Sequence, residues 1–273
     1  MTQQTTRPIL VLGATGKTGR RVVSRLRANG TPVRAASRSS DTRFDWHDRT
    51  TWAAALDGVS ALYLVLPPQE APAGDLVTRA VAAGVNRIVL LSGRGAQHIE
   101  YASSVEQAVR DSGAQWAIMR PNNFNQNFTE DVFYPMVRSG ELALPIGQVP
   151  EPFIDAEDIA DVAVALLTED GYHGHTYEMT GPRALTWAEA AETIGAATGR
   201  PVRFVDVPAE EFVPAALAAG VAPDAAEELS GNFAVMREGV IAEVDDGVQR
   251  VLGREPRDFT AYVKQAAASG AWD

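Results

Sequence analysis

A glycine-rich turn near the start of the sequence constrains the fold of this chain more than any other feature. The apolar run at residues 8–12 predicts a buried strand, and a helical pattern follows from about Gly16 to Asn29. Between them stand three glycines spaced G-x-x-G-x-x-G, namely Gly13, Gly16 and Gly19. Glycine permits the tight turn, a close approach of the backbone to a pyrophosphate, and close packing of the helix on the strand. The pattern therefore predicts a βαβ unit that binds a dinucleotide at the start of its helix.

The end of the second predicted strand indicates which dinucleotide is bound. An NAD site usually carries an acidic residue here, which binds the ribose 2′-hydroxyl. In this chain no carboxylate follows until Asp41, and Arg38 stands where a 2′-phosphate would arrive. Because an arginine fork and serine hydroxyls suit a phosphate, we expect NADPH (NADP+) rather than NADH. The alternative is a surface arginine without a ligand. The residues expected to bind the cofactor in these two segments are Gly13, Thr15, Gly16, Lys17, Thr18, Gly19, Ser37 and Arg38, with the Ser39 hydroxyl as the alternative to that of Ser37.

Strand-like apolar runs and helical patterns alternate through the first 120 residues. Further strands are expected at 32–36, 61–66, 87–91 and 115–119, and further helices at 52–56, 76–83 and 100–112. Strands that are apolar on both faces and separated by helices predict a parallel sheet covered on two sides. We therefore expect an α/β fold with a Rossmann-type, doubly wound parallel sheet.

The pattern changes after residue 120. An acidic segment at 155–158 precedes an apolar helical run at 159–167, and Thr186 with Glu189 has the capping-box pattern of a helix at 186–198. The remaining patterns predict strands at 176–179 and 202–207 and an alanine-rich helical stretch at 208–236. The apolar side chains of that last stretch are expected to pack inward, the alternative being a patch that binds a partner protein.

These patterns divide the chain into a nucleotide-binding part and a mixed part. We assign 1–150 to the Rossmann core, mainly residues 7–121 with a helix at 155–168 returning to it. Residues 151–273 are mixed and include a small C-terminal α+β lobe that is expected to bind the substrate over the open edge of the nucleotide site.

Composition argues against several kinds of partner and site. The net charge of -11 and the pI near 4.9 argue against nucleic acid, because a phosphate backbone is repelled by an acidic protein. The chain has no cysteine, which excludes a disulfide framework, a thiolate zinc site and a cysteine nucleophile. The His173-Gly174-His175 pair is typical of a loop, and we predict no metal. The polar N-terminal residues and the lack of a long apolar run lead us to expect a cytoplasmic protein.

Several later segments carry a family resemblance. They are Arg38, Phe44-Asp45-Trp46, Leu91-Ser92-Gly93, Met119-Arg120-Pro121-Asn122-Asn123-Phe124 with Asn127-Phe128, and the run from Phe153 to Ala160. With the glycine spacing, these segments resemble the atypical short-chain dehydrogenases and, more specifically, the NmrA-like branch. The resemblance covers nearly the whole chain and weakens after about residue 208.

This resemblance implies roles for particular residues. Asp45 would bind the adenine amine, and Trp46 would line the adenine pocket. The further cofactor contacts that it implies are Leu66, Pro67 with Pro68, Ser92 and Pro121. The residues that it places near the nicotinamide and the substrate are Asn122, Asn123, Phe124 and Asn127.

The acid–base machinery usual in short-chain reductases is not intact in this sequence. That family uses a serine, a tyrosine that protonates the alkoxide, and a lysine that lowers the pKa of the tyrosine. Here Tyr101 is followed four places later by Val105, and no lysine occurs between Lys17 and Lys264. Aligning on Glu106 places His98 at the tyrosine position. The candidate catalytic residues are Ser92, His98 and Tyr101.

Two functions stay open at this point. The first is an NADPH-dependent oxidoreductase that reduces a quinone or ketone of a planar, polyketide-type aromatic molecule, since such substrates delocalise charge and need little protein acid. The amides and aromatic rings at residues 122–128 suit a planar, oxygen-bearing substrate. The second is a non-catalytic NADP(H) sensor that regulates a partner protein. The sequence does not fix the oligomeric state.

Overall fold

The computed structural model describes residues 7–69 and 71–273. Its strands are β1 (Ile9–Leu12), β2 (Val33–Ser37), β3 (Thr42–Arg43), β4 (Ala61–Val65), β5 (Arg87–Leu91), β6 (Gln115–Pro121), β7 (Glu141–Leu144), β8 (His175–Met179) and β9 (Arg203–Asp206). Its helices are α1 (Lys17–Ala28), α2 (Trp52–Leu56), α3 (Ala73–Ala82), α4 (Glu100–Arg110), α5 (Asn127–Glu130), α6 (Tyr134–Ser139), α7 (Ala156–Thr168), α8 (Trp187–Thr198), α9 (Ala209–Ala218), α10 (Pro223–Arg237), α11 (Gly247–Leu252) and α12 (Phe259–Ala268).

The chain divides into two compact units. The first, called the sheet unit below, comprises the described part of Met1–Pro121 with Ala156–Met179 and Asp246–Glu255. The second, called the small unit, comprises Asn122–Asp155, Thr180–Asp245 and Pro256–Asp273. The division at 121 follows the end of β6, and α7 belongs to the sheet unit although the chain has passed through the small unit before reaching it.

The sheet unit is built on seven parallel strands in the order β3-β2-β1-β4-β5-β6-β8. Burial of β1 and of most of β4 and β5 explains why these runs are apolar on both faces. The predicted Rossmann-type α/β fold is confirmed. On one side α1 meets α7, where Glu157 accepts hydrogen bonds at 2.6 Å from both Arg21 and Arg25.

The strand order changes direction at β1, which pairs with both β2 and β4. In a parallel sheet, ligands bind beyond the carboxyl ends of the strands where the order reverses. The register places Leu12 opposite Ala36 and Val65 opposite Leu91. The segments that follow β1, β2, β4 and β5 therefore all leave the sheet at the carboxyl ends of the strands, which is the edge of the sheet referred to below.

The small unit has its own core, made mainly of aromatic side chains. Phe128 is fully buried and lies 5.4 Å from the ring of Phe153 and 5.6 Å from that of Trp187. The indole N–H of Trp272 donates to the carbonyl of Phe128 at 2.8 Å, which ties the end of the chain to this core. A two-stranded parallel sheet, β7 with β9, completes the unit.

Several local predictions can be compared with these elements. The capping box at Thr186 and Glu189 is confirmed. The alanine-rich stretch divides into α9 and α10, because Gly220 takes a left-handed conformation with φ +87° and Pro223 starts a new helix. Its apolar residues Phe212 and Leu229 pack on the core of the small unit as expected. Strand β7 and helices α5, α6, α11 and α12 were not predicted.

Within residues 7–69 and 71–273, no helix has the length and apolar character needed to cross a membrane.

Candidate functional site

The turn after β1 has the geometry that its three glycines predict. Gly13 adopts a positive φ of +64°, which strains any residue with a side chain. A Cβ atom at Gly19 would lie 2.1 Å from the carbonyl oxygen of Gly13, so only glycine lets α1 pack this closely on the turn. Two of the three positions therefore have a direct steric requirement for glycine.

The start of α1 fits a pyrophosphate. Its N-cap is Gly16, which has extended backbone angles and no side chain to cap the helix. The N–H groups in the first turn of a helix have no partners within the helix and carry the positive end of its dipole. A bare helix start beside a tight glycine turn thus offers main-chain donors to an anion. Thr18 is buried within this first turn.

The end of β2 fits a phosphate on the ribose. Ser37 is buried, its Oγ lies 2.7 Å from Oγ of Ser40, and it accepts the N–H of Ser39 at 3.2 Å. These contacts shape a polar loop around Arg38. Arg38 is exposed and forms no hydrogen bond or ion pair with any residue that the structure describes. An exposed, unpaired guanidinium on a serine-rich loop is suited to bind a 2′-phosphate.

An open groove of about 820 Å³ runs between α1 and this loop. Thr15 and Arg20 line it on the side of α1, and Ser39 and Ser40 line it on the side of the loop. Sequence reasoning did not select Arg20. Its position directly after Gly19 was the available signal, because the first turn of the helix faces the same edge as the glycine turn.

Asp45 and Trp46 lie in the loop after β3. Asp45 accepts the N–H of His47 on its Oδ1 at 3.0 Å, so its carboxylate also stabilises its own turn. Trp46 packs edge-to-face on Phe44 at 5.1 Å and on Trp52 at 6.0 Å. The adenine-binding roles implied for these two residues stay a prediction.

Leu66 and Pro67 follow β4. The N–H of Leu66 donates to the carbonyl of Leu91 at 2.8 Å, and Pro67 is buried. Since β4 is the neighbour of β1, this segment leaves the sheet at the same edge as the glycine turn. The carbonyl of Pro121, at the end of β6, accepts the N–H of Arg94 at 3.1 Å.

Ser92 belongs to a buried charged cluster in the sheet unit. Its hydroxyl donates to Oε1 of Glu106 at 2.7 Å, and Glu106 is fully buried. Arg120 donates to both carboxylate oxygens, at 2.8 and 2.6 Å, and Arg110 adds a third guanidinium contact at 2.7 Å. Burial acts to raise the pKa of Glu106, but the donors Arg120, Ser92 and Arg110 hold it below its ordinary value. Glu106 is therefore a carboxylate that keeps the Ser92 hydroxyl engaged.

Tyr101 and His98 are placed differently from each other. The Tyr101 hydroxyl donates to the carbonyl of Ala71 at 3.0 Å, and burial raises its pKa. His98 ends a short 3-10 turn and is exposed, and its side chain has no hydrogen-bond partner among the described residues. Of the three candidate catalytic side chains, only His98 has an uncommitted polar group.

The segment after β6 belongs to the small unit. Asn122 is buried, donates to the carbonyl of Ile241 at 2.7 Å and accepts the N–H of Asn123 at 2.6 Å. Phe124 forms a β-bridge with Ile154. The carbonyl of Asn127 accepts the N–H of Phe133 at 3.1 Å. The predicted substrate residues thus form one ordered segment, of which Asn123, Phe124 and Asn127 are half-buried.

A buried carboxyl that sequence reasoning missed supports this segment. Glu151 is fully buried and accepts Nδ2 of Asn123 at 2.6 Å and Nε1 of Trp187 at 3.0 Å. Burial raises the pKa of Glu151 to about 7, although these two donors lower it. An acid between Pro150 and Pro152 is typical of an exposed loop, so no local pattern indicates that Glu151 is buried.

The parallel sheet and the glycine turn define a Rossmann-type protein with a dinucleotide site. Comparison with known proteins then identifies the branch, because the model of the NmrA-like family matches residues 5–263. The chain belongs to the NmrA-like family, as its sequence segments predicted.

Two relatives and one solved structure illustrate this membership. The NAD(P)H azoreductase of Xenophilus azovorans is 34% identical, with 96% of this chain and 99% of the relative covered. The (4-alkanoyl-5-oxo-2,5-dihydrofuran-3-yl)methyl phosphate reductase of Streptomyces griseus is also 34% identical, with the same coverage. The structure of Citrobacter sp. triphenylmethane reductase complexed with NADP(H) has a TM-score of 0.83 at 23% identity and covers 95% of this chain and 99% of that one. This last likeness shows the fold.

Proposed function

We propose that this chain is an NADPH-dependent oxidoreductase that reduces a quinone or ketone of a planar aromatic small molecule, without a Ser-Tyr-Lys triad. The observation that carries the proposal is the combination of the glycine turn and the unpaired Arg38 at one edge of the sheet unit. The first suits a pyrophosphate and the second suits a 2′-phosphate.

The residues of the sheet unit hold the cofactor in this proposal. The start of α1, with Gly16 and Thr18, binds the pyrophosphate. Ser37 and Arg38 at the end of β2 bind the 2′-phosphate, together with Arg20 from the groove beside them. Asp45 and Trp46 bind the adenine, and Leu66, Pro67, Ser92 and Pro121 flank the nicotinamide half. When bound, NADPH supplies the hydride. The two relatives at 34% identity, which are named as reductases, support the same class of reaction.

The substrate class follows from chemistry that needs little help from protein acids. The names of both relatives denote acceptors in which the reducible bond is conjugated, an azo compound in one and an oxo-dihydrofuran with an alkanoyl group in the other. Conjugation delocalises the charge that develops as hydride arrives. In this chain Asn123, Phe124 and Asn127 orient such a substrate through amide contacts and an aromatic ring. The buried amide of Asn122 holds their segment in place.

His98 is the side chain that we assign to proton delivery. The hydroxyl protons of Ser92 and Tyr101 are donated to Glu106 and Ala71, whereas the His98 imidazole is exposed. An imidazole can act as a general acid and suits this role. Replacing His98 by glutamine should lower kcat by about 100-fold, with His47→Gln as an exposed-histidine control. Unchanged turnover in the His98 variant would remove this assignment.

The proposal is tested by following NADPH consumption through nicotinamide absorbance. The panel contains 1,4-naphthoquinone, polycyclic quinones and aromatic ketones, with NADH run in parallel and NADPH binding measured by calorimetry. Turnover with NADPH supports the proposal, and the best substrate defines the class. Tight NADPH binding without consumption across the panel would overturn it in favour of a cofactor sensor, which should then co-purify with a partner protein.

A further inference from the structure

Glu151 is held by two donors of different kinds, and this fixes the role of each of its oxygens. Nε1 of Trp187 lies 3.0 Å from Oε1, and an indole nitrogen can only donate. Oε1 must therefore accept in every protonation state. Oε2 faces Nδ2 of Asn123 at 2.6 Å, so it is the oxygen that either accepts from Asn123 or carries a proton.

The backbone of Glu151 is fixed as well. Its N–H donates to the carbonyl of Leu185 at 2.8 Å, and its carbonyl accepts the N–H of Leu185 at 2.9 Å. The side chain is fully buried, so it has no alternative contact with solvent. Glu151 is consequently a rigid acceptor presented to Asn123.

This arrangement sets the orientation of the Asn123 amide. Nδ2 donates to Glu151 and lies 3.7 Å from Sδ of Met236, which leaves Oδ1 as the opposite end of the amide. Oδ1 accepts no hydrogen bond from any described residue, and it is not among the described buried atoms without a partner. Because Asn123 is half-buried, this oxygen is an accessible acceptor.

The neighbouring amides do not offer the same group. Asn122 uses both ends of its amide inside the small unit, on Ile241 and on the N–H of Asn123. Asn125 is fully buried, and Gln126 donates to Asp155 at 2.8 Å. Unlike Asn122, Asn125 and Gln126, Asn123 therefore has an amide that is oriented by Glu151 and displays one end at the surface of the small unit.

We propose that Glu151 is a positioning residue that keeps Oδ1 of Asn123 directed toward the substrate, so that the enzyme selects substrates with a hydroxyl or N–H group beside the reducible ring. This inference rests on the proposed function, which it extends from a planar quinone or ketone to one that carries a hydrogen-bond donor. An ionised Glu151 is required, because only then does Oε2 accept from Asn123.

Protonation of Glu151 reverses the direction of its hydrogen bond with Asn123. A proton on Oε2 donates toward Asn123, whose amide then turns so that Oδ1 accepts and Nδ2 is displayed. The groups that face Glu151 are the neutral side chains of Asn123 and Trp187, and burial with these two bonds accounts for its pKa near 7. On the adjoining helix α10, Arg237 is paired with Asp206 at 3.2 Å. Glu151→Gln reproduces the protonated arrangement, since its amide nitrogen donates where Oε2 accepted.

The test compares two matched ligands, 2-(hydroxymethyl)-1,4-naphthoquinone and its methyl ether. Their dissociation constants are measured by calorimetry on the full chain saturated with NADP+, at about pH 8.5 and about pH 5.5, on either side of the Glu151 pKa. At the higher pH the wild-type protein should bind the hydroxyl ligand about fivefold to tenfold more tightly than the ether. Glu151→Gln should lose or reverse this preference at both pH values, and the wild-type protein should approach the variant at the lower pH.

Two further variants keep the test decisive. Glu211→Gln removes an exposed carboxylate on α9 and should keep the wild-type preference. Asn123→Ala alters the half-buried end of the pair and should abolish the preference even where Glu151→Gln fails to fold. Equal binding of both ligands by the wild-type protein, no binding of either, or an unchanged preference in Asn123→Ala would overturn the inference. Binding is measured without turnover, so a missing NADPH consumption would count against the proposed function alone.

Discussion

The glycine turn at residues 13–19 and the asparagine segment at residues 122–127 differ in what determines their geometry, which is the main chain in the first and side chains in the second. The turn after β1 uses main-chain shape, because Gly13 takes a positive φ and Gly19 leaves room for the carbonyl of Gly13. The segment after β6 uses side chains. There the amide of Asn122 takes its orientation from Ile241, and that of Asn123 takes its orientation from Glu151 and Met236, all far away in the sequence. The main-chain site can bind only what every dinucleotide shares, whereas the side-chain site can change its preference through one distant residue.

The largest expected effect is at the turn. A methyl group at Gly19 would meet the Gly13 carbonyl at 2.1 Å, and α1 would have to move away from β1. We expect Gly19→Ala to weaken NADPH binding by about 100-fold or more, measured by calorimetry. Gly231→Ala is the control, because a Cβ there meets nothing within 4 Å. Wild-type affinity in Gly19→Ala would break the claim that main-chain shape makes this site.

The next prediction concerns the stability of the protein as Glu151, the partner of Asn123, titrates with pH. The pKa of Glu151 rises from 4.5 to about 7 on folding because of burial. Between these values the folded chain holds a proton that the unfolded chain has released, so stability falls as the pH rises through this window. The free energy of unfolding should drop by about 3 kcal/mol across it, and urea titrations at several pH values should show this decline.

Glu151→Gln serves as the reference for that decline, since glutamine does not titrate. The difference in unfolding free energy between the wild-type protein and this variant should change by about 3 kcal/mol between pH 4.5 and pH 7. A difference that stays constant with pH would contradict a buried, titrating Glu151 beside Asn123.

A smaller effect is expected at the edge of the cofactor site. Arg38→Gln removes the guanidinium at the end of β2 and should raise the Kd for NADPH by about 10-fold to 50-fold while leaving that for NADH unchanged. Arg203→Gln, which removes an exposed arginine of β9, should change neither constant. An equal loss for both dinucleotides would mean that Arg38 supports the loop and does not bind the 2′-phosphate.

The smallest effect is expected at Tyr101. Tyr101→Phe removes the hydrogen bond to the Ala71 carbonyl and should lower the unfolding free energy by about 1 kcal/mol. The kcat should stay within about twofold of the wild-type value, because this hydroxyl is engaged in structure. A large loss of kcat with normal stability would instead make Tyr101 the proton donor in place of His98.

The cofactor side of this contrast could be predicted from sequence because its determinants are local. Three glycines, a strand and a helix lie within about 20 consecutive residues, and the use of glycine in such a turn is general. The parallel sheet followed in the same way from apolar strands separated by helices. The family resemblance then supplied candidate residues at the ends of the later strands.

The substrate side could be predicted only as a set of residue types. The asparagines after Pro121 indicated polar contacts, but the partner of Asn123 lies 28 residues away and that of Asn122 lies 119 residues away. Burial of Glu151 depends on Trp187 and Leu185, which a local pattern does not connect to it. The division of residues 208–236 at Gly220 was missed for a related reason, since one glycine in an alanine-rich run does not by itself end a helix.

The most direct measurement of the central claim is the ratio of kcat/KM for NADPH to that for NADH, obtained from nicotinamide absorbance at saturating 1,4-naphthoquinone. The guanidinium of Arg38 leads us to expect a ratio of about 10 or more in favour of NADPH. A ratio at or below one would contradict the assignment of Arg38 to the 2′-phosphate, and an absence of turnover with either dinucleotide would contradict the reductase itself.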